Sequence, residues 1–273
     1  MAYRYPHFTR EILRADLAFR GGPMPGWPLP DFDLVTTDGT RIRKRDLIGR
    51  RPLLLTCASV TCPMAMNAGP GLRHLYAEFG DRVAFATLYV REAHPGEHYP
   101  QPDTFAWKLA HACAYRDLLG LPWPVAVDSL DGDLHRALDP RPNAAYLMAT
   151  DGTVVFRALA SNDERTLRHG LAGLIAGRPL PLGERQPRLL PALRAIGVLD
   201  AVLDRRNGCV PGGFWPPREG RSPPPRSRPL RARDPRGMRR AYRPSRYRPC
   251  RASQPGEDRV VVAGVAVDRR HGV

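Results

Sequence analysis

Apolar and polar positions change period several times along the chain, and each change predicts an element. Phe8, Ile12, Ala15 and Phe19 fall near helical spacing behind Thr9, which predicts a short amphipathic helix within residues 7–19. GGPMPGWPLP at 21–30 breaks it, and DFDLVTTDGTRI at 31–42 then alternates apolar and polar residues around a Thr-Asp-Gly-Thr turn, the pattern of a β-hairpin. RPLLLTC at 51–57 and RVAFATLYV at 82–90 are continuous apolar runs, the mark of strands covered on both faces. Between them, residues 63–79 read as a helix. Residues 103–119 read as another, followed by the strand WPVAV at 123–127, a short helix over 131–138, and two strands in AAYLMATDGTVVFRAL around an Asp-Gly turn. Asn162, Asp163 and Glu164 open a last helix that runs through Ile175.

The order β-α-β-α-β-α-β-β-α predicts an α/β domain with a mixed central sheet flanked by helices, and it is the thioredoxin order. Four segments follow: a lead-in helix and Pro/Gly linker at 1–29, the thioredoxin-like domain at 30–180, an extra helix at 181–204, and an Arg/Pro-rich tail at 205–273 expected to be disordered.

Charge refines this division. The net charge of +15 would point to nucleic acid if it were spread over the fold, but 18 arginines and 5 acidic residues lie at 205–273, so about +2 remains for residues 1–204. Nucleic-acid binding is therefore expected only through the tail. The five cysteines, at 57, 62, 113, 209 and 250, are odd in number and irregular in spacing, which argues against a disulfide framework and for a reducing, cytoplasmic setting. The amino-terminal twenty residues lack a continuous apolar core, and no segment has the length of a membrane span.

The candidate chemistry sits where the first buried strand meets its helix, in LLLTCASVTCPMAM at 53–66. With Thr61 as N-cap and Pro63 in the first turn, Cys62 falls where free N–H groups and the helix dipole favour an anion. Such thiols titrate below the free value of about 8.5. Ser59 and Ala65 stand three residues to either side, so there is no Cys-x-x-Cys pair. An inert buried cysteine would produce the same local pattern. Ligands of parallel sheets bind beyond the carboxyl ends of the strands, and Glu92 and His94 follow the neighbouring strand, so the three side chains can meet on one rim. His94 could then hold a thiolate as an ion pair or donate a proton, with Glu92 orienting the imidazole. Cys57 and Cys113 read as packing residues, as do Trp107 and Trp123. His74 and His111 have no partner at metal-ligand spacing, so no metal or other cofactor is expected.

The stretch PDFDLVTTDGT followed by DLIGRRPLLLTCASVTCP resembles the opening of redoxin domains. More narrowly, Ser-x-Thr-Cys-Pro at 59–63, Tyr-x-x-Glu-Ala-His at 89–94, PVAVD at 124–128 and Pro-x-x-x-Tyr at 142–146 resemble the iodothyronine deiodinases and their bacterial relatives. Those enzymes carry selenocysteine at the position of Cys62. The resemblance, over residues 30–176, implies a thiol-dependent oxidoreductase. Its nucleophile is Cys62, with Ser59, Glu92 and His94 beside it, and an external thiol such as thioredoxin or a small thiol restores it. The first acid of the family's Glu-Glu-Ala-His is Arg91 here, and its second histidine would fall near Pro102, with His98 as the nearest substitute. Two alternatives stand beside this reading. A peroxiredoxin-like peroxidase would use Ser59 as the pocket hydroxyl, although Leu55 replaces the expected proline and Asn143 stands about where its arginine would. A non-catalytic redoxin-fold module would bind its partner through the basic tail.

Overall fold

The computed structural model describes residues 3–178 and 180; the expected helix at 181–204 and the tail at 205–273 lie outside the described residues. In chain order the elements are α1 (Arg10–Asp16), the hairpin β1 (Asp33–Thr36) and β2 (Arg41–Arg43), a 3-10 turn, β3 (Leu53–Ala58), α2 (Pro63–Phe79), β4 (Ala84–Tyr89), α3 (Phe105–Leu119), β5 (Val125–Val127), α4 (Asp133–Ala137), β6 (Ala145–Met148), β7 (Val154–Ala158) and α5 (Glu164–Ile175). The seven strands form one sheet in the order β2-β1-β5-β4-β3-β6-β7. β3, β4 and β5 run parallel, β6 pairs antiparallel to β3, and β7 pairs antiparallel to β6. This is a thioredoxin-like fold.

The two central strands show why the apolar runs are unbroken. Leu54 and Ala58 of β3 pack on one face with Leu72 and Leu75 of α2, Tyr115 of α3, and Leu167 and Leu171 of α5. Leu53, Leu55 and Cys57 point to the other face, against Leu29, Leu134, Leu138 and Tyr146. The side-chain period of two thus serves two cores, and neither face can be polar. The register Cys57↔Leu88 and Ala58↔Tyr89 brings the carboxyl ends of β3 and β4 level, so the turn before α2 and the loop after β4 emerge side by side.

Capping explains the helix starts, with some shifts from expectation. Thr9 caps α1 by accepting from the Ile12 N–H, and Asp163 caps α5 by accepting from Thr166. Thr104 caps α3, which begins at Phe105, two residues after the expected start. At α2 the N-cap is Cys62, not Thr61, because the Thr61 hydroxyl is drawn away to a carboxylate described below. Trp107, expected in the core, is 53% exposed. The buried face of α3 is instead Lys108, His111, Ala112, Tyr115 and Arg116, the i, i+3, i+4, i+7, i+8 stripe of a helix. Trp123 is buried, as expected.

Cys57 is completely buried, and desolvation drives its thiol pKa well up; the same cause pushes Cys62 up to about 12. Both thiols therefore stay protonated in the folded chain at pH values where the unfolded chain, near 9, has ionised them. Stability is fully present below pH 9 and is lost as pH rises from about 9 toward 12, by up to about 1.4 kcal/mol per pH unit for each thiol. Cys57→Ala is expected to cost about 1–2 kcal/mol at pH 7 through the lost packing and to remove one thiol's share of the alkaline slope. Urea unfolding between pH 7 and 10.5 measures both quantities; an unchanged slope would contradict the assignment.

Candidate functional site

Cys62 closes the turn after β3 and begins α2, with Pro63 at the first helical position. Pro63 has no N–H to lose there, and its fixed φ suits the helix. The backbone N–H groups of Met64 and Ala65 favour the thiolate electrostatically, although neither makes a hydrogen bond of ordinary cap geometry. These are the forces expected from the sequence, but they are not the largest. The sulfur is in the core on one face of the sheet and its residue is 3% exposed, so desolvation dominates. Asp16 and Glu92 add to the upward shift. The thiol is protonated at neutral pH, contrary to the expected depressed pKa.

The turn is bonded to the loop after β4, residue by residue. Ser59 Oγ accepts from the Ala93 N–H at 3.2 Å, and Thr61 Oγ1 accepts from the His94 N–H at 3.2 Å. The Glu92 backbone is held at both ends by one side chain: Gln101 Oε1 accepts from its N–H at 3.1 Å, and Gln101 Nε2 donates to its carbonyl at 2.7 Å. Ser59 and Glu92 are fully buried. Cys62, Ser59, Glu92 and His94 are thus brought to one rim.

What Glu92 touches differs from expectation. Its carboxylate accepts from Tyr89 OH at 2.6 Å and Thr61 Oγ1 at 2.6 Å, and it pairs with His111 Nδ1 at 2.9 Å. The imidazole beside the acid is therefore His111 of α3, rather than His94. Tyr89 OH also accepts from the Val60 N–H at 3.2 Å, so the phenol links the strand end to the turn before Cys62. His94 lies beneath Phe8, ring centroids 4.0 Å apart, and burial pushes its pKa down to about 4. A neutral His94 imidazole and a protonated Cys62 thiol do not make the expected ion pair. His98, the nearest substitute for the second histidine, is exposed.

Thr61, Tyr89, Gln101 and His111 were missed as site residues. Tyr89 carried one signal, since it opens the same Tyr-x-x-Glu-Ala-His run as Glu92. Asp128, the last residue of PVAVD, is buried and accepts from the N–H groups of Ser129, Leu134 and His135, which fixes α4 to the end of β5. Among the described residues no group of three or more His, Cys, Asp or Glu side chains could hold a metal ion.

A neutral His94 gives a direct prediction. His94→Ala is expected to leave the pH profile of Cys62 alkylation within about twofold of the parent between pH 6 and 9, because no charge is removed from beside the sulfur. A selective slowing at pH 6 would restore the ion pair.

The iodothyronine deiodinase family model matches residues 15–114, a stretch that contains Cys62, Glu92, His94 and His111. The chain is related to the iodothyronine deiodinases. It is similar to the thyroxine 5-deiodinase of Gallus gallus, 33% identical over 139 residues that cover 45% of this chain and 54% of the relative. That of Sparus aurata is 26% identical over 173 residues, 61% of this chain and 63% of the relative. The chain thus spans about half to somewhat under two thirds of the deiodinases it matches. Among solved structures it is similar to an uncharacterized conserved protein from Geobacillus kaustophilus, with a TM-score of 0.49 and 18% identity over 61% of this chain and 89% of the other. It is also similar to the peroxidoxin BcpB of Mycobacterium tuberculosis, with a TM-score of 0.44 and 17% identity over 57% and 99%. The deiodinase match begins inside α1 and ends within α3, so it takes in the turn before α2 and the loop after β4. Among the described residues no helix is long and apolar enough to cross a membrane.

Proposed function

We propose that the chain is a thiol-dependent reductive oxidoreductase of deiodinase-like character, with Cys62 as nucleophile. The observation that carries the reading is the buried Glu92 carboxylate, which gathers Thr61, Tyr89 and His111 beside the turn that presents Cys62. A structural cysteine has no need of an acid–imidazole pair enclosed next to it, and an enclosed pair of titratable groups at a strand-end rim suits proton delivery. The relation to the deiodinases supports the same class of chemistry.

In the reaction, the Cys62 thiol passes its proton to the His111–Glu92 pair and the thiolate attacks a soft electrophile R–X, where X is halogen, sulfur or peroxide oxygen. The S–X bond forms and the R–X bond breaks. R leaves with the bonding electron pair and takes a proton, which the His111–Glu92 pair supplies. An external thiol R′SH then attacks the oxidised Cys62 sulfur, releasing X as its anion and forming a mixed disulfide, and a second thiol frees Cys62 as R′SSR′ forms. Two thiols are oxidised for each R–X reduced. The external reductant is a thioredoxin-type protein or a small thiol.

The test is turnover of an aryl iodide, hydrogen peroxide and a small disulfide, each with dithiothreitol or reduced thioredoxin, in the parent and in His111→Ala. Turnover of at least one electrophile, lowered about 10²-fold or more in His111→Ala, is the expected result. Absence of turnover with all three would leave a redoxin-fold binding module.

A further inference from the structure

A thiol that is 3% exposed cannot meet a substrate without something moving, and the segment laid over its rim is the amino terminus. Tyr5 OH donates to the Ala93 carbonyl at 3.0 Å, and the Phe8 ring lies on His94 at 4.0 Å. Arg4 donates to the Pro102 carbonyl at 3.1 Å and lies 3.7 Å from Asp131, while Tyr3 OH meets His135 Nδ1 at 2.8 Å. The Arg91 guanidinium stacks over both tyrosines, 5.2 Å from the Tyr3 ring and 5.3 Å from the Tyr5 ring. The hooks land on the loop after β4, on the β5–α4 connection and, through His135, on α4 itself. Gly132 is part of this seat: with φ +70 it adopts a conformation other residues resist, and a Cβ there would run into the Tyr3 ring. Ala93 and His94, the residues under Tyr5 and Phe8, donate their N–H groups to Ser59 and Thr61 of the turn that carries Cys62.

We propose that residues 3–9 form an autoinhibitory strap over the site, and that Cys62 becomes reactive when the strap lifts. The strap is built to lift. Among residues 3–9 only Tyr5 is buried, and no backbone–backbone hydrogen bond ties residues 3–8 to the remaining described residues. Its hold consists of side-chain contacts, most of them part-buried or buried and the Arg4–Asp131 pair exposed, and a segment without backbone bonds to the fold opens below the free energy of global unfolding. Cys57 is buried in the opposite face of the sheet, among Leu29, Leu134, Leu138 and Tyr146.

The function of the strap rests on Cys62 being the reacting thiol, but its presence does not, because alkylation reads access whether or not the thiol turns over substrate. The experiment is iodoacetamide labelling of the full chain at pH 8.5 in 0–2 M urea, resolved by peptide mass spectrometry. In the parent, Cys62 is expected to label faster than Cys57 and with weaker urea dependence. Equal rates and equal urea dependence would overturn the proposal. In Tyr5→Ala/Phe8→Ala, Cys62 is expected to label at least about tenfold faster while Cys57 is unchanged. Failure of Cys62 to accelerate, or acceleration in step with Cys57, would overturn it too. Strap-dependent labelling without turnover of any electrophile would retire the oxidoreductase and leave the strap standing.

Discussion

Cys62→Ser is expected to abolish thiol-dependent turnover, by more than about 10³-fold, while leaving the fold intact. The two effects separate because the position has two jobs. As N-cap of α2 it faces free N–H groups, and a serine hydroxyl accepts from such groups better than a thiol does, so melting should shift little in either direction. As nucleophile it needs a polarisable sulfur that can accept X and be released by a second thiol, and a serine oxygen does neither. Steady-state turnover with an excess of reductant, read beside thermal melting, measures both. Retained turnover in a stably folded Cys62→Ser chain would transfer the chemistry to another group.

Glu92→Ala is expected to be among the most destabilising substitutions in the domain, costing about 3–5 kcal/mol. The carboxylate is fully buried, and its removal strands the Thr61 and Tyr89 hydroxyls and His111 Nδ1 without their acceptor. Glu92→Gln keeps the shape but turns an amide N–H₂ toward one of those groups, for a cost of about 1–3 kcal/mol. Urea unfolding gives the values, and Tyr89→Phe, which removes one donor to the acid and the acceptor of the Val60 N–H but leaves the acid in place, should cost less than Glu92→Ala. If Glu92→Ala is tolerated within about 1 kcal/mol, the network is not what holds the rim together.

Much of the fold was legible because its elements agree with their local signals. α2 begins at Pro63 and ends at Phe79 as its start signal and apolar spacing indicate, and β3 and β4 lie within continuous apolar runs that the two-faced core requires. The site was legible as a location: Cys62, Ser59, Glu92 and His94 share the rim that parallel-strand geometry assigns them. Its wiring was not. The buried stripe of α3 is written in Lys108, His111 and Arg116, so hydropathy pointed to Trp107 and away from the face that carries His111. His111 reaches Glu92 only because the segment between β4 and α3 folds back, a contact across nineteen positions that no local spacing encodes. The thiol's protonation was misjudged for a related reason. N–H groups and a helix dipole can be read from a Thr-Cys-Pro turn, but the depth at which that turn is buried depends on the strap and on the loop after β4. Burial is the larger effect here.

The central claim is that Cys62 is the thiol that takes the electrophile. It is tested most directly by exposing the full chain to one equivalent of hydrogen peroxide, trapping sulfenate with dimedone, and mapping the adduct by peptide mass spectrometry with and without prior dithiothreitol. The account predicts an adduct on Cys62, absent after dithiothreitol and absent in Cys62→Ser, with Cys57 unmodified. An adduct elsewhere with Cys62 untouched, or labelling of Cys57 and Cys62 to equal extent, would contradict it.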